Sequence, residues 1–113
     1  MDKHLKEKWI TALQSGEFKK GKGYLCQTTE HGTDEYCCLG VLASILGVPR
    51  TKFPKFNVYH YDVDTNKGSE SYLTGFTTFI PKKYEIPYQV ELSEINDSND
   101  TWDKAIEFIE DNF

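Results

Sequence analysis

The chain has 113 residues, a formal net charge of −5, 38% hydrophobic residues and 14% aromatic residues. This length predicts one domain, residues 1–113, with a single modest core. An acidic chain without a stripe of lysine and arginine is not expected to bind duplex DNA, and no apolar run approaches the roughly 18 residues that a membrane-spanning helix needs.

The charges are distributed unevenly along the chain. Residues 1–23 carry six lysines against three acids, a net charge of +3, and residues 24–90 carry a net charge of −1. Residues 91–113 carry one lysine against eight acids, a net charge of −7. The basic N-terminal part can therefore contact a phosphate group or face the acidic C-terminal part.

Residues 2–15 are predicted to form an amphipathic helix. Apolar side chains recur at the spacing of one helical face, at Leu5, Trp9, Ile10 and Leu13. Glycine commonly follows the last residue of a helix, as Gly16 does here. The basic, glycine-rich residues 16–23 then form a loop.

A β-hairpin is predicted after this loop. Its first strand covers residues 24–29, and the second covers residues 35–37. Between them His31-Gly32 is a turn signal.

A buried helix and a second hairpin are predicted in the middle of the chain. The helix runs from Cys38 through an apolar segment to Gly47. Gly40 inside it costs about 1 kcal/mol relative to alanine, which indicates that another backbone approaches closely there. Residues 56–63 alternate and are rich in β-formers, so they are predicted to pair as a strand with residues 71–78.

Two helices are predicted near the C-terminal end. The first is short, at residues 92–96. The second covers residues 101–112, with Asn99 or Asp100 as its cap and a buried stripe of Trp102, Ala105, Ile106 and Ile109. The chain is therefore predicted to be α+β, with N- and C-terminal amphipathic helices and a central apolar helix packed with one or two antiparallel β-hairpins.

Several stretches resemble a family of small uncharacterised bacteriophage and prophage proteins. The family pattern is W-x-x-A-L-x-S-G…[YF]-C-C-L-G-V-L…L-x-x-[LI]-N-D…I-x-x-x-I-E. Its parts correspond to Trp9–Gly16, Tyr36–Leu42, Leu92–Asp97 and, one residue closer than in the pattern, Ile106 with Ile109-Glu110. The resemblance implies a viral source, the cytoplasm of a bacterial host cell and no established enzymatic activity. Small accessory phage proteins often counter host defence, some by binding nucleotide signals. An odd number of cysteines, three, also fits a reducing cytoplasm.

Cys37 and Cys38 leave three chemical interpretations open. Free cysteines usually pack as small buried hydrophobes. A thiol at the start of a helix can instead have a lowered pKa and act as a nucleophile, here with His60 as its base. A zinc site that adds Cys26 and His31 matches the spacing of structural zinc ligands poorly. We expect core packing, with no catalytic residue, no metal and no cofactor.

The candidate ligand-binding site combines three kinds of groups. Lysines and glycine-rich backbone can bind an anion, aromatic rings can stack on a base, and side-chain oxygens can accept hydrogen bonds from ribose hydroxyls. The predicted residues are Trp9, Lys20, Gly21, Lys22, Gly23, Tyr36, Tyr59, Tyr61, Asn96 and Asp97.

These features predict a non-enzymatic phage accessory protein that binds and sequesters a small anionic, nucleotide-derived ligand, such as a host anti-phage immune signal. A homodimer with pockets at its interface would enclose the ligand better than one small domain. One alternative is a module that inhibits a host protein through its acidic C-terminal helix or aromatic hairpin. The other is a Cys–His thiol hydrolase or transferase.

Overall fold

The structure, a computed structural model, describes the backbone of residues 1–53, 58–61, 80 and 84–113, and the side chains of these residues except 51–53 and 58–61. This part of the chain forms four helices and five strands. The helices are α1 (Lys3–Gln14), α2 (Cys38–Leu46), α3 (Gln89–Asp97) and α4 (Asp103–Asn112), and the strands are β1 (Lys19–Lys20), β2 (Cys26–Thr28), β3 (Asp34–Tyr36), β4 (Arg50–Phe53) and β5 (Val58–Tyr61). The predicted α+β class is confirmed.

The five strands form one sheet in the order β1-β3-β2-β5-β4. β2 and β3 form the predicted antiparallel hairpin, in which Cys26 lies opposite Tyr36. The turn between them closes where the Thr29 amide donates to the Thr33 carbonyl at 2.8 Å. β1 pairs with β3 in parallel, with Lys20 opposite Tyr36, so the basic loop is held at one edge of the sheet.

The second hairpin differs from the predicted one. The prediction paired residues 56–63 with residues 71–78. In the structure β5 pairs with β4, and its other neighbour is β2, where Gln27 lies opposite Val58. Residues 71–78 lie outside the described part of the chain, so their pairing stays a prediction.

The central helix α2 lies in the core. Residues 38–43 are all buried. The helix ends at Gly47, whose φ of 73° is left-handed and therefore suits glycine. The predicted close approach at Gly40 is confirmed, because a Cβ atom built there would overlap with the carbonyl group of Leu25, just before β2. The backbones of α2 and of this segment are therefore in direct contact.

The first helix packs against both α2 and α4. Trp9 is 0% exposed and donates from Nε1 to the Cys38 carbonyl at 2.9 Å. Lys6 donates from Nζ to the carbonyls of Glu110 and Phe113 at 3.0 and 2.7 Å. A cation is also stabilised by the helix dipole at this end of α4. The first and last helices are therefore bonded directly to each other.

The helix cap predicted near the C-terminal end is wrong. α4 begins at Asp103, and the preceding residue, Trp102, makes no side-chain capping bond. Asn99 instead donates to the Ile95 carbonyl at 2.7 Å, at the end of α3. Asp100 pairs with a lysine of the basic loop. Both candidate caps are therefore engaged with other parts of the molecule.

Candidate functional site

The predicted anion-binding loop and the predicted Asn96-Asp97 turn lie together, but they bind each other. Lys20 donates from Nζ to the Asn96 carbonyl at 2.7 Å, and Asn96 Nδ2 donates to the Gly21 carbonyl at 2.9 Å. The Gly23 amide donates to Asp97 Oδ1 at 3.0 Å. We call this contact between the glycine loop and the end of α3 the loop latch.

Asn96 is the centre of the loop latch. Its side chain is 1% exposed, and its Oδ1 accepts from the Cys38 amide at 3.1 Å. Its Nδ2 donates to Asp97 Oδ1 at 3.2 Å as well as to the Gly21 carbonyl. One amide thus connects the glycine loop, the first turn of α2 and the end of α3. Because it is buried and bonded at both ends, Asn96 can meet a ribose hydroxyl only if the latch opens.

The two lysines of the loop are also engaged. Burial, followed by the charge of Lys22, lowers the pKa of Lys20, whose Nζ is bonded within the latch. Lys22 Nζ lies 3.0 Å from Asp100 Oδ1. Both partners of this ion pair are exposed, so it contributes little to stability. Lys22 therefore stays the more accessible cation of the two.

The space left beside the loop latch is small. A crevice of about 60 Å³ is lined by Gly23, Tyr24, Cys37, Ser93 and Asp97. Pockets that enclose drug-sized ligands have volumes of about 300–1,000 Å³. The crevice can hold a few water molecules, but it is too small for a nucleotide.

The described residues do not assemble the predicted aromatic wall. Trp9 is fully buried and its indole N–H is bonded to α2. This contradicts a stacking role for Trp9, because no ligand can reach its ring. Tyr36 is half-buried at a different place, beside Phe18. Tyr59 and Tyr61 lie on β5, and their side chains are outside the described part of the chain.

The three cysteines are buried and none of them is in a disulfide bond. Cys37 Sγ accepts from the Gly40 amide at 3.4 Å and so caps α2. Burial raises the pKa of Cys37 from 9.0 to about 12, and it also raises the pKa of Cys38. A thiol nucleophile needs a lowered pKa, so these values oppose the Cys–His hypothesis. His60, the base in that hypothesis, lies on β5 and its side chain is outside the described residues.

The residues of the alternative zinc site differ in exposure. The His31 side chain is 84% exposed in the hairpin turn, whereas Cys26, Cys37 and Cys38 are buried. Across residues 1–53, 58–61, 80 and 84–113, no group of three or more His, Cys, Asp or Glu side chains is placed to hold a metal ion.

We expect the thiols of the folded protein to react slowly. A rise of the pKa from 9.0 to about 12 lowers the thiolate fraction of Cys37 near pH 8 by about a thousandfold. A chromogenic disulfide reagent should therefore report little reaction in native buffer and three thiols in denaturant. Free glutathione under the same native conditions is the control. Rapid labelling of Cys37 or Cys38, located by mass spectrometry, would contradict this expectation.

The same pKa shift predicts sensitivity to alkali. The raised pKa means that the folded state favours the neutral thiol, so this contribution to stability is complete below about pH 9 and is lost as the pH rises towards 12. Urea unfolding at a series of pH values should show this decrease, and Cys37→Ala should reduce it.

The most strongly charged part of the described structure is formed by α3, α4 and the turn between them. Its eight acidic residues are all exposed: Glu91, Glu94, Asp97, Asp100, Asp103, Glu107, Glu110 and Asp111. Among the described residues, two of these are in ion pairs, Asp100 with Lys22 and Glu107 with Lys104. We call these eight exposed carboxylates the acidic surface.

A groove with an apolar floor lies within the acidic surface. It has a volume of about 390 Å³ and is lined by Ile95, Asn99, Lys104, Glu107, Phe108, Asp111 and Asn112. Ile95 and Phe108 are only half-buried, so apolar surface remains accessible between charged side chains. We call this the α3–α4 groove.

Exposed apolar side chains continue beyond the groove. Tyr88 is 45% exposed and Val90 is 56% exposed. The Tyr88 ring packs edge-on against Phe108 and Phe113, with 5.7 Å between centroids in each pair. Its backbone is left-handed, with a φ of 61°, which costs a residue other than glycine roughly 1–2 kcal/mol. Apolar and aromatic residues ringed by charges are typical of protein contact surfaces.

Sequence reasoning missed Ile95 and Phe108 as surface residues. One signal was available for Phe108, because it falls beside the apolar stripe of α4 and next to Glu107 in sequence. An aromatic residue at the border of an amphipathic helix is often only half-buried. That Ile95 would meet it across a groove depends on how α3 and α4 pack.

None of the helices in the described part of the chain is long and apolar enough to cross a membrane.

Comparison with known proteins gave one match. No curated protein and no solved structure matched the chain. One family model, Domain of unknown function (DUF8296), matches residues 1–70, which is more than half of the chain. The chain therefore belongs to the family described as Domain of unknown function (DUF8296).

Proposed function

We propose that this chain is a non-enzymatic binding module that binds a basic segment of a partner protein at the acidic surface. In the phage setting that the sequence resemblance implies, the partner would be a protein of the bacterial host. The observation that carries the proposal is the exposure of all eight carboxylates of residues 91–113, two of which, Glu107 and Asp111, line a groove together with the half-buried Ile95 and Phe108.

The charge supports a basic partner. Residues 91–113 carry a net charge of −7, and the two lysines that pair with them form exposed ion pairs. Exposed pairs of this kind are weak, so a partner's lysines and arginines can replace them at small cost. A surface with one sign of charge also accelerates association with a partner of the opposite sign and selects against acidic proteins.

The groove supports a partner with an apolar anchor. Charge alone gives rapid but weak association, whereas an apolar side chain in a desolvated groove supplies much of the affinity of protein interfaces. Ile95 and Phe108 supply apolar surface in this groove, and Glu107 and Asp111 line it as well. The expected partner segment therefore combines an apolar side chain with flanking lysine or arginine.

The loop latch gives less support to sequestration of a nucleotide at the glycine loop. Lys20, Asn96 and Asp97 are bonded within the protein, and the adjacent crevice has about 60 Å³. A nucleotide would have to break these bonds before it could use the same groups.

We expect reversal of two charges in the groove to weaken binding of a basic peptide by about tenfold or more. The double variant Glu107→Lys with Asp111→Lys changes the two acidic residues that line the groove. The probe is a fluorescent synthetic peptide in which lysines flank a leucine-rich apolar stripe, and fluorescence anisotropy measures its dissociation constant. Raising the salt concentration should also weaken binding, because these charges are exposed.

Two controls separate this site from general attraction. Glu17→Lys makes the same kind of charge change at an exposed acid outside the acidic surface. A scrambled peptide of identical composition keeps the charge but lacks the stripe. Equal binding by the double variant and the wild type, or equal binding of both peptides, would contradict the proposal. Circular dichroism checks that each variant is folded.

A further inference from the structure

A second concave surface lies far along the chain from the acidic surface, where the sheet meets the C-terminal end of α2. This cleft has a volume of about 320 Å³ and is lined by Phe18, Tyr36, Ser44, Gly47, Val48 and Arg50. Its volume is near the lower limit of pockets that enclose small organic ligands. We call it the Tyr36 cleft.

Two rings form an apolar wall of the Tyr36 cleft. Phe18 and Tyr36 meet edge to face, with centroids 5.0 Å apart and an angle of 89° between the rings. Both residues are half-buried, so part of each ring faces the cleft. Val48 is buried beside them. Such a wall suits a flat apolar group, which gains contact area by packing on a ring.

A cation is positioned at the same cleft. Arg50 Cζ lies 5.9 Å from the centroid of the Tyr36 ring. Its Nη1 donates to Tyr36 Oη at 3.3 Å and to Cys26 Sγ at 3.6 Å. These contacts place the guanidinium group beside the Tyr36 ring, and this group keeps its charge at every physiological pH.

The Tyr36 hydroxyl adds a donor. Burial raises the pKa of Tyr36, so its hydroxyl keeps its proton at neutral pH. In the described part of the chain, this oxygen accepts from Arg50 and donates to no protein group. Its proton can therefore be donated to a ligand. Arginine and a phenol beside an apolar wall are the mixture of groups that small-molecule sites use for orientation and specificity.

We propose that the Tyr36 cleft binds a small organic anion that consists of one aromatic ring and one phosphate or carboxylate group. The anionic group contacts Arg50 and the Tyr36 hydroxyl, and the ring lies against Phe18 and Tyr36. The inference does not depend on the proposed protein partner, because the cleft and the α3–α4 groove have no lining residue in common. Either site can fail its test without affecting the other.

Three probes separate the contributions of ring and charge. Phenyl phosphate carries both, inorganic phosphate carries the anion alone, and phenol carries the ring alone. Titration of the isotope-labelled full chain, followed by nuclear magnetic resonance, should shift the amides of Phe18, Tyr36, Ser44 and Gly47. Phenyl phosphate should bind at least about tenfold more tightly than either of the other probes.

Variants then test the two polar groups. Arg50→Gln should weaken phenyl phosphate binding by about tenfold or more, Arg50→Lys should weaken it less, and Tyr36→Phe should weaken it severalfold while keeping the ring. Lys8→Gln removes the same charge from an exposed position on α1 and should leave the affinity unchanged.

Clear results would overturn the inference. Equal affinity for phenyl phosphate and inorganic phosphate, shifts scattered over the lysines, or equal losses in Arg50→Gln and Lys8→Gln would each show general attraction of anions in place of a built site. No detectable binding of phenyl phosphate would also overturn it. If Arg50→Gln does not fold, the wild-type titration and the Tyr36→Phe variant still decide the question.

Discussion

Replacing Gly40 by alanine should prevent most of the protein molecules from folding to this structure. A Cβ atom at Gly40 would overlap with the carbonyl group of Leu25 and would lie 2.7 Å from its carbonyl carbon. The atoms that the added Cβ would meet belong to the Leu25 backbone and not to a flexible side chain. Because Gly40 and Leu25 are both buried, the two segments cannot easily move apart. We expect a loss of at least about 4 kcal/mol, which is a large part of the total stability of a small domain.

The measurement is urea unfolding followed by the fluorescence of the two tryptophans, together with the soluble yield. Gly16→Ala is the matched control, because nothing lies within 4 Å of a Cβ there and only its φ of 79° opposes alanine. That variant should lose roughly 1–2 kcal/mol. Equal losses in the two variants would show that the contact between α2 and Leu25 is not as close as described.

Replacing Asn96 by alanine should cost about 2–4 kcal/mol of stability. The substitution leaves the buried Cys38 amide and the Gly21 carbonyl without their partner. A buried polar group without a partner costs about 1–3 kcal/mol, more than the net gain of an ordinary hydrogen bond. The change should therefore loosen the glycine loop as well as lower the midpoint of unfolding.

Two comparisons make this result specific. Asn99→Ala removes one bond, to the Ile95 carbonyl of the same helix turn, and should cost less than about 1 kcal/mol. Asn96→Asp keeps an acceptor for Cys38 but places a negative charge against the Gly21 carbonyl and Asp97. Its stability should therefore recover as the pH is lowered and the new carboxyl group is protonated. Similar values for Asn96→Ala and Asn99→Ala would contradict a central role for Asn96.

Local sequence patterns predicted the helices and the first hairpin because these elements depend mainly on residues that are close together in sequence. The spacing of Leu5, Trp9 and Leu13 defines one face of α1 whatever packs against it. Gly40 is costly in a helix, so its presence indicated the contact with Leu25. β1 and β4 were missed for the opposite reason. They are two and four residues long, without an apolar alternation, and they form only because a neighbouring strand offers its edge.

The sequence predicted which residues lie together in the candidate site, but it did not predict that they bind one another. Lys20, Gly21, Gly23, Asn96 and Asp97 were expected together, and the structure brings them together. Whether such groups bind a ligand or one another depends on distances across 70 or more positions of sequence. No local pattern contains that information. The bacteriophage pattern that the sequence resembles includes positions corresponding to Asn96 and Asp97, which lie beyond the residues 1–70 matched by the family model. A structural role in the latch is sufficient to account for both residues.

The loop latch also has a consequence for synthesis on the ribosome. Its bonds, and those of Lys6, join positions between 74 and 107 residues apart. Residues 1–70, which the family model matches, leave the exit tunnel before the residues of α3 and α4 that form the other half of these bonds. Until Leu92 and Ile109 have emerged, α1 and α2 lack two fully buried neighbours and present apolar surface to solvent. The nascent chain is therefore expected to need protection by chaperones until translation has passed α4.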